Sequence, residues 1–173
     1  MDAPRILLFT GDGRGKTTAA LGLALRAAGH GHAVRVIQFC KSQDTGELHA
    51  SVAPGAIEIT QAGRGFLPPR DDARWAQHEA AARDALDLAT RAIASGKYGV
   101  VVLDEVCFAV QAGLIEEAAV IAALRGAPPD LCIVLTGRGA TPGLIALADT
   151  VTEMRCVKHA LSAGRPAQKG VEF

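Results

Sequence analysis

Apolar residues in this chain come in short unbroken runs rather than in strict alternation. R-I-L-L-F-T at 5–10, V-R-V-I-Q-F at 34–39, G-V-V-V-L at 99–103 and L-C-I-V-L-T at 131–136 are the clearest. Runs of this length bounded by polar or turn residues predict strands buried on both faces, as in a parallel sheet. Shorter runs at 57–60 and 150–154 predict two more strands. Between the first two runs, 17–28 is rich in Ala and Leu and free of Pro, which predicts a helix stopped by Gly29 and Gly31. At 72–95 the residues Trp75, Ala82, Leu86, Ala89 and Ile93 share one helical face, so a long amphipathic helix is expected there. Asp71 or Asp72 is its expected N-cap and Gly96 its stop. Further helical stretches are expected around Phe108, at 116–124 and at 141–148. The polar stretch 41–47 and the Gly/Pro-rich 63–69 read as loops, and 158–173 as loop or frayed end. Strands alternating with helices predict a three-layer α/β fold around a mostly parallel central sheet, in one domain spanning 1–173.

Composition narrows the partners. Lys and Arg number 18, as do Asp and Glu, so net charge offers no footprint for nucleic acid or an anionic membrane. No stretch approaches the roughly 20 apolar residues of a membrane span. Cys40, Cys107, Cys132 and Cys156 are too scattered for a zinc knuckle or a redox pair, so buried thiols in a reducing, cytoplasmic compartment are expected.

In a parallel α/β fold, ligands bind at the carboxyl ends of the strands. Three candidate motifs here follow strand ends, at 10–18, 104–105 and 136–138. The first reads Thr10-Gly11-Asp12-Gly13-Arg14-Gly15-Lys16-Thr17-Thr18, a phosphate-binding P-loop whose first glycine comes one residue late. In such a loop backbone N–H groups point at phosphate oxygens, Lys16 reaches the terminal phosphates, Thr17 binds Mg²⁺, and the helix N-terminus adds its positive end. The fold is thus expected to be P-loop NTPase-like. Asp104-Glu105, after an apolar strand, is placed to support the metal. A carboxylate there can equally orient an attacking water, so the pair leaves hydrolysis and other ATP chemistry open.

These residues resemble one family, the P-loop ATP:corrinoid adenosyltransferases of cobalamin biosynthesis and salvage. The family's loop has the form T-G-x-G-K-G-K-T-T-A-A, and Thr10 to Ala20 reads T-G-D-G-R-G-K-T-T-A-A. Further matches are Val36-Ile37-Gln38-Phe39 with Lys41, Gly63-Arg64-Gly65-Phe66, Leu103-Asp104-Glu105, Thr136-Gly137-Arg138, 148–154, Lys158-His159 and Gly170-Val171-Glu172-Phe173. The resemblance implies that Co(I) of a corrinoid attacks the 5′ carbon of ATP and that triphosphate leaves whole. It implies Lys16, Phe66 and Arg138 as the catalytic set, residues 11–18 as the phosphate cradle, and Thr17, Asp104 and Glu105 around Mg²⁺ or Mn²⁺. Phe66 matches an aromatic that crowds the lower corrin face and displaces the axial ligand. Pro68 stands where the family has a tryptophan, so the second half of that wedge lacks an aromatic face. His159 matches a position to which no role is assigned. The family's basic N-terminal extension, which helps cover the nucleotide, finds no counterpart in the few residues before the first strand. That cover is then missing, or comes from another subunit or from the tail. A homodimer and an electron donor such as a flavoprotein are further implications. Two other readings are a P-loop ATPase or small-molecule kinase, and a non-enzymatic, nucleotide-gated corrinoid carrier.

Overall fold

The computed structural model describes residues 3–50 and 56–172. Among these residues six strands form one sheet: β1 (Arg5–Thr10), β2 (Val34–Gln38), β3 (Ile57–Gln61), β4 (Val100–Asp104), β5 (Cys132–Thr136) and β6 (Thr150–Glu153). Five α-helices surround it: α1 (Lys16–Gly29), α2 (Trp75–Ala94), α3 (Val106–Gln111), α4 (Glu117–Arg125) and α5 (Pro142–Leu147). The strand order is β3-β2-β4-β5-β1-β6 and every pairing is parallel. The expectation of a mostly parallel sheet is met in its strongest form.

The two faces of the sheet are covered unequally. On one, α1 lies across the strands through Ala20, Ala24 and Ala28, against Val34, Val36, Val100, Val102 and Val134. The Ala stripe at i, i+4 spacing lets the helix approach closely. On the other, α2, α3, α4 and α5 pack on Ile6, Leu8, Ile37, Phe39, Val101, Leu103, Ile133 and Leu135. Each fully buried Val, Leu or Ile contributes about 1.5–3 kcal/mol relative to exposure. Strands sandwiched this way must be apolar throughout, hence the unbroken runs in the sequence.

Two expectations are corrected. The long helix opens at Trp75 rather than Asp72, and neither Asp71 nor Asp72 caps it. Asp72 instead receives the backbone N–H of Arg74 at 2.8 Å and its guanidinium at 2.9 and 2.7 Å, which closes a turn ahead of the helix. Cys156, expected as a buried thiol, is exposed. The tail is irregular as expected, apart from a 3₁₀ turn at Leu161–Ala163, and its last described residues return to the phosphate loop, as described below.

Candidate functional site

The parallel order sets the carboxyl ends of β1, β4 and β5 side by side, with β5 between the other two. All three strand-end motifs therefore open onto one edge. There they line a cavity of about 710 Å³, together with the 41–47 loop, Gly65–Leu67 and the tail at Gly170–Glu172.

The phosphate loop leaves β1 and is braced by the segment after β6. Gly13 N–H donates to Met154 O at 2.7 Å, and Met154 N–H donates to Thr10 O at 2.8 Å. Gly11 has φ +93°, and a Cβ there would lie 2.5 Å from Met154 O, so only glycine fits this approach. Lys16 Nζ donates to the carbonyls of Gly11 at 2.6 Å and Gly13 at 2.7 Å, which anchors the ammonium across the loop. Burial lowers the Lys16 pKa, and the nearby Arg138 guanidinium adds to the effect. Asp12, Asp104 and Glu105 oppose it.

Asp104 is fully buried at the end of β4 and saturated with partners. Its Oδ1 accepts from Thr17 Oγ1 at 2.8 Å and from Thr136 Oγ1 at 2.7 Å. Its Oδ2 accepts from Gln38 Nε2 at 3.2 Å and lies 3.6 Å from Lys41 Nζ. A buried carboxylate needs such a set of donors to stay in place. The next residue, Glu105, is the one non-glycine residue with positive φ among those described, at 66°. Its N–H donates to Thr136 Oγ1 at 2.9 Å. Burial, then the charge of Asp104, raises the pKa of its carboxyl.

The 41–47 loop is pinned to this centre. Lys41 Nζ donates to Glu47 Oε1 at 2.9 Å, and Gln38 Nε2 donates to the same oxygen at 3.1 Å. Burial of Glu47 works against its charge, but these donors overcome it and hold its pKa at about 2. Gln38 Oε1 is buried and finds no hydrogen-bond partner among the described residues, an acceptor beside Asp104.

The loop carrying Phe66 is seated on the end of β2. Ala62 N–H donates to Gln38 O at 3.0 Å, and Gly65 N–H donates to Cys40 O at 2.9 Å. Gly63 approaches Cys40 so closely that a Cβ would fall 2.2 Å from its carbonyl carbon. Leu67 packs into the core, whereas Phe66 is 91% exposed at the cavity mouth. Pro68 and His159 stand outside the cavity wall, and His159 Nδ1 accepts the N–H of Leu161 within the tail. Arg138, just past β5, is exposed and lines the cavity.

The residues singled out in the sequence as the phosphate cradle from Asp12 to Thr18, with Glu105, Phe66 and Arg138, thus meet at one cavity, and Asp104 lies directly beneath. Glu47 was missed as a site residue; Gln38, Lys41 and the stretch 170–173 were noted as matches, and the tail as one possible source of cover for the nucleotide. Gln38 carried a usable signal, as a polar side chain inside an otherwise apolar strand. The pairing of Glu172 with Arg14 carried none, because it spans nearly the whole chain.

Phosphate loop, buried strand-end carboxylate and all-parallel order together define a nucleotide-binding protein of the P-loop class. The fold agrees with the crystal structure of the flagellar accessory protein FlaH from Methanocaldococcus jannaschii, at TM-score 0.55 and 11% identity over 87% of this chain and 72% of that one. The model of the ATP:corrinoid adenosyltransferase family BtuR/CobO/CobP matches residues 2–173, and the chain belongs to that family. It is 42% identical to a corrinoid adenosyltransferase of Pseudomonas aeruginosa, over 97% of this chain and 83% of the relative. Corrinoid adenosyltransferases of Escherichia coli K12 and Salmonella typhimurium are 38% and 37% identical, each over 97% of this chain and 85% of the relative.

Proposed function

We propose that the cavity binds ATP with its triphosphate in the 11–18 loop and its 5′ carbon turned toward Phe66, where a corrinoid is seated. The reaction transfers the 5′-deoxyadenosyl group to Co(I) and releases triphosphate, in cobalamin biosynthesis or salvage. Cobalt supplies the electron pair of the new Co–C bond, and the pair of the broken C5′–O bond departs on the triphosphate. No proton need be moved at either atom, so the site requires no general base.

The observation that carries this reading is the sharing of one cavity by the phosphate loop and an exposed aromatic. Lys16, Arg138 and the loop amides are set where charge accumulates on the leaving triphosphate, and preorganised donors of this kind act chiefly on the transition state. Phe66, held out by Gly63 and Gly65, offers an apolar surface to the flat ring. Pro68, outside the wall, leaves Phe66 as the wedge.

The residues present suit Mg²⁺, or Mn²⁺ in its place. Among the described residues no three His, Cys, Asp or Glu side chains form a cage, which fits a hard cation held mainly by phosphate and water. Thr17 Oγ1, which donates to Asp104 Oδ1 at 2.8 Å, would hold it, with buried Asp104 supporting from behind and Glu105 beside them. When bound, the ion neutralises charge on the phosphates. A cytoplasmic homodimer supplied with electrons by a flavoprotein completes the reading, on the strength of the family resemblance.

Incubation with ATP and chemically reduced corrinoid tests the reaction. Triphosphate is expected one-for-one with adenosylated corrinoid. Free phosphate or a phosphorylated acceptor as the main product would favour an ATPase or kinase instead.

A further inference from the structure

The tail reaches the phosphate loop through a preformed turn. Val171 N–H and Glu172 N–H both donate to Gln168 O, at 3.1 and 2.9 Å, and Gln168 N–H donates to Glu172 Oε2 at 2.7 Å. One carboxylate oxygen is thus fixed within the turn. The other, Oε1, meets Arg14 Nη1 at 2.9 Å, while Arg14 Nη2 donates to Val171 O at 2.8 Å. The two ends of one guanidinium are therefore held by two adjacent tail residues. Arg14 belongs to the phosphate loop, and Gly170, Val171 and Glu172 form part of the cavity wall.

We propose that Glu172 is a positioning residue for the nucleotide site: the tail turn straps across the phosphate loop and holds Arg14 ready for the triphosphate. This rests on the reading that the 11–18 loop takes the phosphates. A guanidinium has five N–H donors, and the tail uses one on each terminal nitrogen, so donors remain for phosphate oxygens. Without the tail, the side chain of Arg14, already half-exposed, would have to be ordered at the moment of binding. Holding it beforehand removes that cost. A carboxylate this near a polyanion would repel it if unpaired; paired with Arg14, its charge is offset where it stands.

The test is ATP affinity measured by calorimetry on the whole chain, with trypsin cleavage after Lys169 as a second readout. Glu172→Ala is expected to weaken ATP binding about threefold to fivefold, the upper part of the range for a partly exposed ion pair. It should raise KM for ATP while leaving kcat nearly unchanged. Adding Glu172→Ala to Arg14→Ala should cost nothing more, since the two act through one contact. ATP should slow cleavage after Lys169 in the parent and much less in Glu172→Ala. Parental affinity in Glu172→Ala, or a fully additive double variant, would overturn the proposal. Lys16→Ala separates the two levels of the argument. If it loses ATP while Glu172→Ala does not, the strap fails and the phosphate site stands; if neither loses ATP, both fail.

Discussion

The left-handed backbone of Glu105 is the local conflict at the centre of the site. A non-glycine residue in this conformation costs roughly 1–2 kcal/mol, and here burial and the charge of Asp104 also disfavour the ionised side chain. Strain of this kind persists where its surroundings fix it, and here the Glu105 N–H is fixed by Thr136. Glu105→Gly should therefore relax the backbone and remove the carboxylate repulsion. The melting temperature is expected to rise by roughly 2–4 °C per kcal/mol gained, while adenosyl transfer falls. A calorimetric scan beside an activity assay checks both. A lower melting temperature would mean that the Glu105 side chain contributes more than its conformation costs.

At the scale of the element, the loop from Ala62 to Leu67 works as a rigid bracket. Two backbone hydrogen bonds and the Gly63–Cys40 contact seat one side of it, Leu67 anchors its end, and Phe66 is left outside. If that ring wedges under the corrin, Phe66→Ala should keep ATP binding. It should lose activity mainly when cobalt starts as Co(II) and must be reduced on the enzyme. With Co(I) supplied by a strong chemical reductant, the deficit should shrink, because the step assisted by the wedge has been bypassed. Equal losses in the two assays would reduce Phe66 to a general substrate contact. The elements themselves were largely legible. The strands announced themselves because burial on both faces leaves no room for polar residues, and α1 because its glycines and Ala content are local. The start of α2 was misplaced because Asp72, a good cap by composition, was captured by the neighbouring Arg74. Competition between a neighbouring side chain and the helix's own N–H groups for one carboxylate has no periodicity to read. The pinning of the 41–47 loop through Glu47 and Lys41 was hidden for a related reason: it depends on Gln38 and Asp104, brought together only by the β2–β4 register.

At the scale of the whole molecule, the first motif in the chain depends on its last strand. Thr10 and Gly13 are tied to Met154, just beyond β6, and Arg14 to Glu172. Met154→Pro removes the N–H that meets Thr10 O and should loosen the phosphate loop from a distance. ATP affinity is expected to fall together with a modest drop in melting temperature. Unchanged ATP affinity would show that the loop holds its shape without β6. The same closure governs how the protein is made. β1 pairs only with β5 and β6, so residues 5–10 find no strand partner until residues beyond 132 have been synthesised. At roughly 5–20 residues per second that interval is on the order of 6–25 s. During it the apolar run Ile6–Phe9 trails from the ribosome unpaired, a natural client for chaperones. The nucleotide cradle therefore waits on strands translated long after it.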